Sequence, residues 1–210
     1  MNPIYLSYFL SESTPTYGGD EGVIHFEQIR SIKKGDTTNN LQLVFPNHIG
    51  THIDFPYHFD DNGKKCEDYT PAFWIFNKIG VINCSIEMLP LEIEKLSSAI
   101  EILILKTGFG RTRETMEYWT SQPVIPSGYA SLLRDHFPNL RIFGFDLISL
   151  TSKLNRIEGK KAHMNFLIKE NILILEDMNL ESLETIPKTI MISPLLIQGA
   201  DGVPCTIIAY

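Results

Sequence analysis

The sequence predicts a strand-rich α/β domain spanning residues 1–210. Two observations indicate this fold class. Short runs of Ile, Leu, Val and Phe recur along the chain, and most are apolar throughout, as expected for strands covered on both faces. Segments with a helical pattern are fewer. With 210 residues, of which 43% are hydrophobic and 20% charged, the chain is long enough to bury a core of its own.

The predicted strands are apolar runs of strand length. They cover residues 41–45, 78–84, 100–106, 140–145, 171–175 and 189–192, with 205–210 as a further candidate. The best helical pattern is 128–136, where Ser127 fits the N-cap and Phe137-Pro138 ends the helix. A short helix is expected over 91–99, and a single turn at 181–184. The strand order stays open.

Charge and composition limit the partners of the chain. The formal net charge is −7 and no basic block is present, which argues against nucleic acid or an anionic membrane as a main partner and leaves a small molecule. The first residues lack the pattern of a signal peptide, and no run approaches the roughly 18 apolar residues of a membrane span. The three cysteines form no CxxC pair, so we expect free thiols and a cytoplasmic protein.

The segment from Asn47 to His58 holds three of the six histidines of the chain and an aspartate. Side chains of an extended strand alternate between its faces with period two. Four polar residues of the segment are separated by even steps: His48, His52, Asp54 and His58. One extended strand would direct all four to the same side, with Gly50 leaving space between the first two. The residues in the alternate positions would face a core, and they are Ile49, Ile53, Phe55 and Tyr57.

A helix would also bring His48 and His52 together, four residues apart, as in the HExxH zinc helix. Gly50 and the prolines on either side of the segment oppose a helix. Ile49 also stands where that motif needs its glutamate. We therefore predict an extended segment and exclude the HExxH type of site.

Imidazole nitrogens and carboxylate oxygens are ligands of zinc, manganese and similar divalent ions. A metal site with an open position can lower the pKa of bound water to about 7. The segment therefore predicts a hydrolytic metal site built around His48, His52 and Asp54. His58, two residues beyond a rigid proline, is either a further ligand or an acid/base group.

The segment reads HxGTHxDxPxH and resembles the signature of the cyclase-like metal hydrolases, the family of bacterial kynurenine formamidase and isatin hydrolase. All seven fixed positions are matched: His48, Gly50, Thr51, His52, Asp54, Pro56 and His58. Looser similarity extends over nearly the whole chain. It lies at Leu6 to Gly18, Lys106 to Phe109, Gly144 to Asp146 with Ser149, and Gly199 to Pro204.

The resemblance implies an open, barrel-like mixed sheet with flanking helices (a swivelling β/β/α fold) and assembly into homodimers or homotetramers. It implies one or two zinc ions, with manganese as the alternative. Asp54 would bridge an ion held by the first motif to a second ion, and His58 would be the general acid/base. The metal-activated water would attack an amide, formamide or lactam carbonyl. The implied ligands are His48, His52, Asp54, His163 and Glu176.

Residue context adds to this interpretation. Glu176 and Asp146 each end an apolar run, where a carboxylate is well placed to face a site. Five aromatic residues could line an aromatic pocket or belong to the core: Phe55, Tyr57, Phe59, Phe73 and Trp74. Two alternatives remain open. The chain could bind a metal or ligand without turnover, or it could be a thiol hydrolase using Cys66 or Cys205 with a histidine.

Overall fold

The computed structural model describes residues 2–210. The strands are β1 (Ile4–Tyr5), β2 (His25–Arg30), β3 (Asn40–Val44), β4 (His52–Asp54), β5 (Ile75–Phe76), β6 (Ile79–Asn83), β7 (Ile102–Lys106), β8 (Ile142–Phe145), β9 (Leu173–Glu176), β10 (Ile190–Pro194) and β11 (Gly202–Ala209). The α-helices are α1 (Leu89–Glu92), α2 (Glu117–Thr120), α3 (Tyr129–His136) and α4 (Arg156–His163). Among the helices of residues 2–210, none is long and apolar enough to cross a membrane.

Nine of the strands in the described range form one mixed sheet. Its order is β5-β10-β11-β4-β9-β8-β7-β6, with β1 paired to β11. The strands from β6 to β9 run parallel, whereas β4, β10, β11 and β5 pair antiparallel. Because β5 and β6 are separated only by residues 77–78, the two ends of the sheet lie near each other, and the sheet curves into an open, barrel-like shape. This confirms the predicted α/β fold class.

The core lies against the parallel strands. β8 and β9 are buried along their whole length, and β7 is buried except at its last residue. Their runs of Ile, Leu and Phe show no alternation because both faces are covered. Six predicted strands are confirmed with shifted ends as β6 to β11.

The predicted strand at 41–45 is present as β3, but its predicted burial is wrong. β3 pairs only with β2 in a separate two-stranded hairpin. Leu41, Leu43 and Val44 are each more than half exposed. An apolar run predicts a strand, but whether another element packs over it depends on distant parts of the chain.

Three helix predictions need correction. The predicted helix over 91–99 begins earlier, as α1, and continues only as a 3₁₀ turn to Lys95. α3 confirms the helix over 128–136, but Gly128 precedes it without a side-chain cap. The Ser127 N–H donates to Glu158 instead. The expected single turn at 181–184 lies one residue earlier, at 180–183, and is a hydrogen-bonded turn closed by the Leu183 N–H donating to the Leu180 carbonyl, not a helix.

α4 was absent from the predicted elements. Its N-cap is Asn155, whose side chain accepts the Glu158 N–H, and its sequence is polar with a glycine in the middle. A Cβ atom at Gly159 would collide with Thr151, so this glycine allows a close approach to the neighbouring loop. The helix ends on His163 and continues as a π-helical turn, Met164–Lys169.

Candidate metal centre

β4 places two site residues on one face of the sheet. It lies between β9 and β11, and its register sets His52 opposite Glu176. His52 and Asp54 are two residues apart on this strand and point to the same side. The His52 Nε2 atom lies 3.3 Å from Glu176 Oε2. Strand pairing therefore brings together residues that are far apart in sequence.

The rest of the motif is not one extended strand, and that prediction is wrong. Gly50 has a φ of +58°, a left-handed conformation that favours glycine, and the chain turns there. Pro56–His58 forms a 3₁₀ turn. Turns, not strand alternation, bring His48 and His58 to the site. The four residues nevertheless converge, with His48 Nδ1 2.9 Å from Asp54 Oδ1.

The apolar side of the motif is largely as predicted. Ile49, Ile53 and Phe55 are buried in the core. Tyr57 is different, because its ring is half-buried beneath the ammonium group of Lys65, with 4.1 Å between Nζ and the ring centroid.

His163 reaches the site from the end of α4. Its side chain is buried, and its Nε2 atom lies 3.5 Å from Asp54 Oδ2 and 3.5 Å from Glu176 Oε1. The other Asp54 oxygen faces His48 and also lies 3.6 Å from His52 Nε2. Asp54 therefore lies between two groups of possible ligands, as a bridging carboxylate would.

Glu176 is buried at the end of β9. Its Oε1 atom accepts hydrogen bonds from the Leu150 N–H and the Ser149 hydroxyl. Glu176 is thus enclosed by the chain and does not lie in a surface loop. Contrary to the prediction, Asp146 does not face the site. Its carboxylate accepts hydrogen bonds from Thr107 and from the Gly108 N–H, and it fixes the loop after β7.

In each candidate ligand histidine, the ring nitrogen that points away from the cluster already has a hydrogen-bond acceptor. His52 Nδ1 lies 2.8 Å from the carbonyl two residues before it, and His163 Nδ1 lies 3.0 Å from the carbonyl four residues before it. His48 Nε2 lies 2.9 Å from Asp201 Oδ2. Since these acceptors require N–H donors, the other ring nitrogens, which face the cluster, are left to bind a cation. Metal-ligating histidines have this arrangement, so the residues fit one or two divalent ions.

Without a cation, protons hold the cluster together. Burial lowers the pKa of His52, but hydrogen bonding to Glu176 and the charge of Asp54 raise it to about 9. Burial likewise opposes protonation of His163, whereas Asp54 and Glu176 raise its pKa to about 10. The pKa of Asp54 is well below its usual range, because hydrogen bonds from His163 and His48 outweigh burial. A metal ion would displace these protons.

In the metal-free protein, His52 and His163 should make the free energy of unfolding fall as pH rises. Their pKa values increase from about 6.5 in the unfolded chain to about 9 and about 10 in the folded one. Between these limits the folded chain binds more protons, so stability falls with increasing pH. The contribution is fully present below pH 6.5 and lost above about pH 10. Urea unfolding in excess chelator from about pH 6.5 to 9.5 measures it.

The double variant His52→Gln/His163→Gln is the control and should have a flatter dependence on pH. In the wild-type protein, hydrogen bonds from the histidines lower the pKa values of Asp54 and Glu176, so both carboxylates are ionised in this range and add nothing to the wild-type slope. Wild-type stability that is constant or increases over the range would show that the two imidazoles are neutral in the metal-free protein.

A cavity of about 270 Å³ opens onto the cluster. Of the five aromatic residues proposed for a pocket, Phe59 lines it, and its ring stacks on His163 with centroids 4.8 Å apart. Phe55 and Trp74 belong to the core instead. Tyr17 also lines the cavity, which the sequence did not predict.

The thiol alternative has no support at this cavity. Cys66 and Cys205 are not among the residues that line it in the described chain. Burial raises the pKa of both thiols, which opposes formation of the nucleophilic thiolate. Cys205 is enclosed in β11, next to the Thr51 carbonyl.

Sequence reasoning missed Asp201 as a site residue. Its carboxylate contacts His48 and His58 from the position directly before β11. Burial raises its pKa, but hydrogen bonds from the two histidines lower it to about 2. The only signal was an acidic residue in the Gly199 to Pro204 segment, which had been noted for its similarity alone.

The fold and the site together define an α/β protein with a barrel-like mixed sheet and a candidate metal centre on its central strands. The chain matches the Cyclase family over residues 4–151 and belongs to that family. It is 29% identical to a kynurenine formamidase of Bacillus cereus over an aligned length of 204, and the match covers 96% of this chain and 93% of that protein. A kynurenine formamidase of Geobacillus thermodenitrificans is 30% identical over an aligned length of 212, and the match covers 97% of this chain and 95% of that protein.

Solved structures show the same fold. Isatin hydrolase A from Labrenzia aggregata superposes with a TM-score of 0.79, covering 99% of this chain and 93% of that one. The two sequences are 16% identical, so this likeness concerns the fold.

Proposed function

We propose that this chain is a metal-dependent hydrolase that cleaves the amide bond of a small formamide, such as an N-formylkynurenine-like compound, or of a lactam. One observation carries the proposal: three imidazoles and two carboxylates point their free ligand atoms at one another beside an open cavity. The names of the similar proteins, kynurenine formamidase and isatin hydrolase, support this substrate class.

The proposed ligands fall into two groups that share one carboxylate. His48, His52 and Asp54 would hold the first ion, and Asp54 would bridge to a second ion held by His163 and Glu176. Nitrogen and oxygen ligands of this kind suit zinc, with manganese as the alternative. When bound, such an ion lowers the pKa of water to about 7 and polarises a carbonyl group. Backbone carbonyls hold the rings of His52 and His163 in position, and Asp201 holds the ring of His48.

His58 is proposed as the general acid/base. It lines the cavity, and its Nδ1 atom lies 2.8 Å from Asp201 Oδ2. The other ring nitrogen is thus available to accept a proton from water and to return it to the leaving amine. Phe59 and Tyr17 supply apolar walls that exclude water around the bound substrate.

Elemental analysis of the purified protein, with hydrolysis assays on N-formylkynurenine and isatin, tests this function. We expect near-stoichiometric zinc or manganese and turnover of one or both compounds. Metal without turnover of any small amide or lactam would favour a binding protein on the same scaffold. Failure to bind either metal after reconstitution would refute the proposal.

Replacing His58 with alanine should keep the metal and remove most of the turnover. General acid/base groups contribute about 10²–10⁴-fold, so we expect kcat to fall at least about 100-fold with metal content unchanged. Steady-state kinetics and elemental analysis on the same samples measure both. His25→Ala is the control, because that histidine is 62% exposed and pairs with Glu12 at the surface. Unchanged turnover in His58→Ala would remove this residue from the mechanism.

We also propose that residues 1–210 form one domain that acts as a homodimer or homotetramer in the cytoplasm. The exposed apolar residues of the β2–β3 hairpin, Ile29, Leu41, Leu43 and Val44, support an oligomer, because a second copy could cover them. A monomer in light scattering at micromolar concentration would contradict it.

A further inference from the structure

Asp201 contacts two histidines with one oxygen atom. Its Oδ2 lies 2.9 Å from His48 Nε2 and 2.8 Å from His58 Nδ1. Its Oδ1 accepts a hydrogen bond from the Asn47 side-chain amide at 2.6 Å. The two imidazole rings lie side by side, with centroids 4.1 Å apart and planes inclined by 33°. One carboxylate oxygen therefore serves both rings.

The backbone around Asp201 holds this carboxylate in place. The Asp201 carbonyl accepts the Phe55 N–H at 2.9 Å, and the Gly202 carbonyl accepts the Asn47 amide at 3.1 Å. Gly202 lies directly against the His48 ring, and a Cβ atom there would collide with it. The start of β11 thus fixes the distance between Asp201 and both histidines.

An ionised carboxylate only accepts hydrogen bonds, so both nitrogens that face Asp201 carry hydrogens. A neutral imidazole has one further nitrogen, which then bears a lone pair. For His48 this is Nδ1, which donates to Asp54 Oδ1 at 2.9 Å in the metal-free protein and would give up that proton to bind a cation. For His58 it is Nε2, on a residue that lines the cavity. The same oxygen therefore selects opposite tautomers in the two rings.

We propose that Asp201 is a positioning residue that fixes the tautomers of His48 and His58. It keeps Nδ1 of His48 free for a metal ion and Nε2 of His58 free for proton transfer. The role toward His58 rests on the proposed function. Carboxylates commonly orient metal-ligating histidines. Here one carboxylate also orients the acid/base histidine, so metal binding and proton transfer both depend on Asp201.

Asp201→Asn tests the proposal. Its side-chain oxygen must still accept the Asn47 amide, so its NH₂ group replaces Oδ2 and presents donors to both rings. At least one ring must then change tautomer or turn away. Long-range ¹H–¹⁵N NMR spectra of the zinc-loaded protein report the tautomers of both histidines. Asp61→Asn, at an exposed position in the loop after His58, is the matched control.

In wild type and Asp61→Asn we expect His58 protonated at Nδ1 and His48 protonated at Nε2. In Asp201→Asn this pattern should be lost in at least one ring. Zinc affinity and kcat should each fall about 10–100-fold, the range for residues that orient metal ligands, with KM changed less than about threefold. Asp201→Ala, which removes the acceptor without adding a donor, should show the same losses if the asparagine variant does not fold.

Unchanged tautomers of both histidines in a folded Asp201 variant would overturn the proposal, whatever the activity. The NMR measurement needs no substrate. A wild-type protein that binds zinc but hydrolyses nothing would therefore refute the proposed function, while the tautomers would still decide the role of Asp201.

Discussion

Asp54→Asn should abolish stoichiometric metal binding and lower kcat/KM by roughly 10⁴-fold or more. Asp54 is 1% exposed, and its two oxygens face different groups of histidines, His48 with His52 on one side and His163 on the other. Its loss removes a ligand from both proposed ions. Water then keeps a pKa near 15.7 instead of about 7, and the nucleophile is almost absent at neutral pH. Elemental analysis and steady-state kinetics measure the two effects.

Asp61→Asn is the control for this variant too, because Asp61 is exposed and lies in the loop that follows the motif. It should keep both metal and turnover. If Asp54→Asn retained its full complement of metal, the bridging role of Asp54 would be wrong. Retention of one ion of two would limit Asp54 to a single site.

Arg113→Met should destabilise the metal-free protein by about 3–5 kcal/mol, the cost of removing one partner of a buried ion pair. Arg113 donates to both oxygens of Asp177 at distances between 2.7 and 3.2 Å, and the Tyr118 hydroxyl donates to the same carboxylate at 2.6 Å. Asp177 is 1% exposed, so without Arg113 its charge is buried and unpaired. Urea unfolding at pH 7 measures the change in free energy.

Arg111→Met is the matched control, because Arg111 is exposed two residues away and should change stability by no more than about 0.5 kcal/mol. Adding Asp177→Asn to Arg113→Met should recover part of the loss, since no buried charge remains. A double variant no more stable than the single one would show that lost packing, not the unpaired charge, causes the destabilisation.

The parallel half of the fold could be predicted because its signal is local. β7, β8 and β9 are continuous apolar runs, and such runs indicate buried strands wherever they pair. β4 gave no such signal, since it is three residues long and carries two polar site residues. It is a strand because β9 and β11 pair with it on both sides. α4 could not be predicted because its sequence is mostly polar and shows no apolar stripe of helical period.

The site could be predicted in its chemistry more than in its geometry. The motif residues His48, His52, Asp54 and His58 do converge, but a left-handed Gly50 and a 3₁₀ turn bring them together. His163 and Glu176 followed from the family resemblance, and whether they bind metal stays a prediction. Asp201 could not be predicted from local pattern, because its partners are more than a hundred residues away and depend on the register of β11.

The position of β4 sets the time at which the site can form. During synthesis the motif emerges early, whereas both strands that flank β4 come from residues after 172. A strand of three residues is not stable without its neighbours. The nascent chain therefore carries the motif histidines as solvated, independent ligands with no defined geometry, and divalent ions compete for them by raw affinity. Discrimination between metals by geometry begins only when the last strand has joined the sheet.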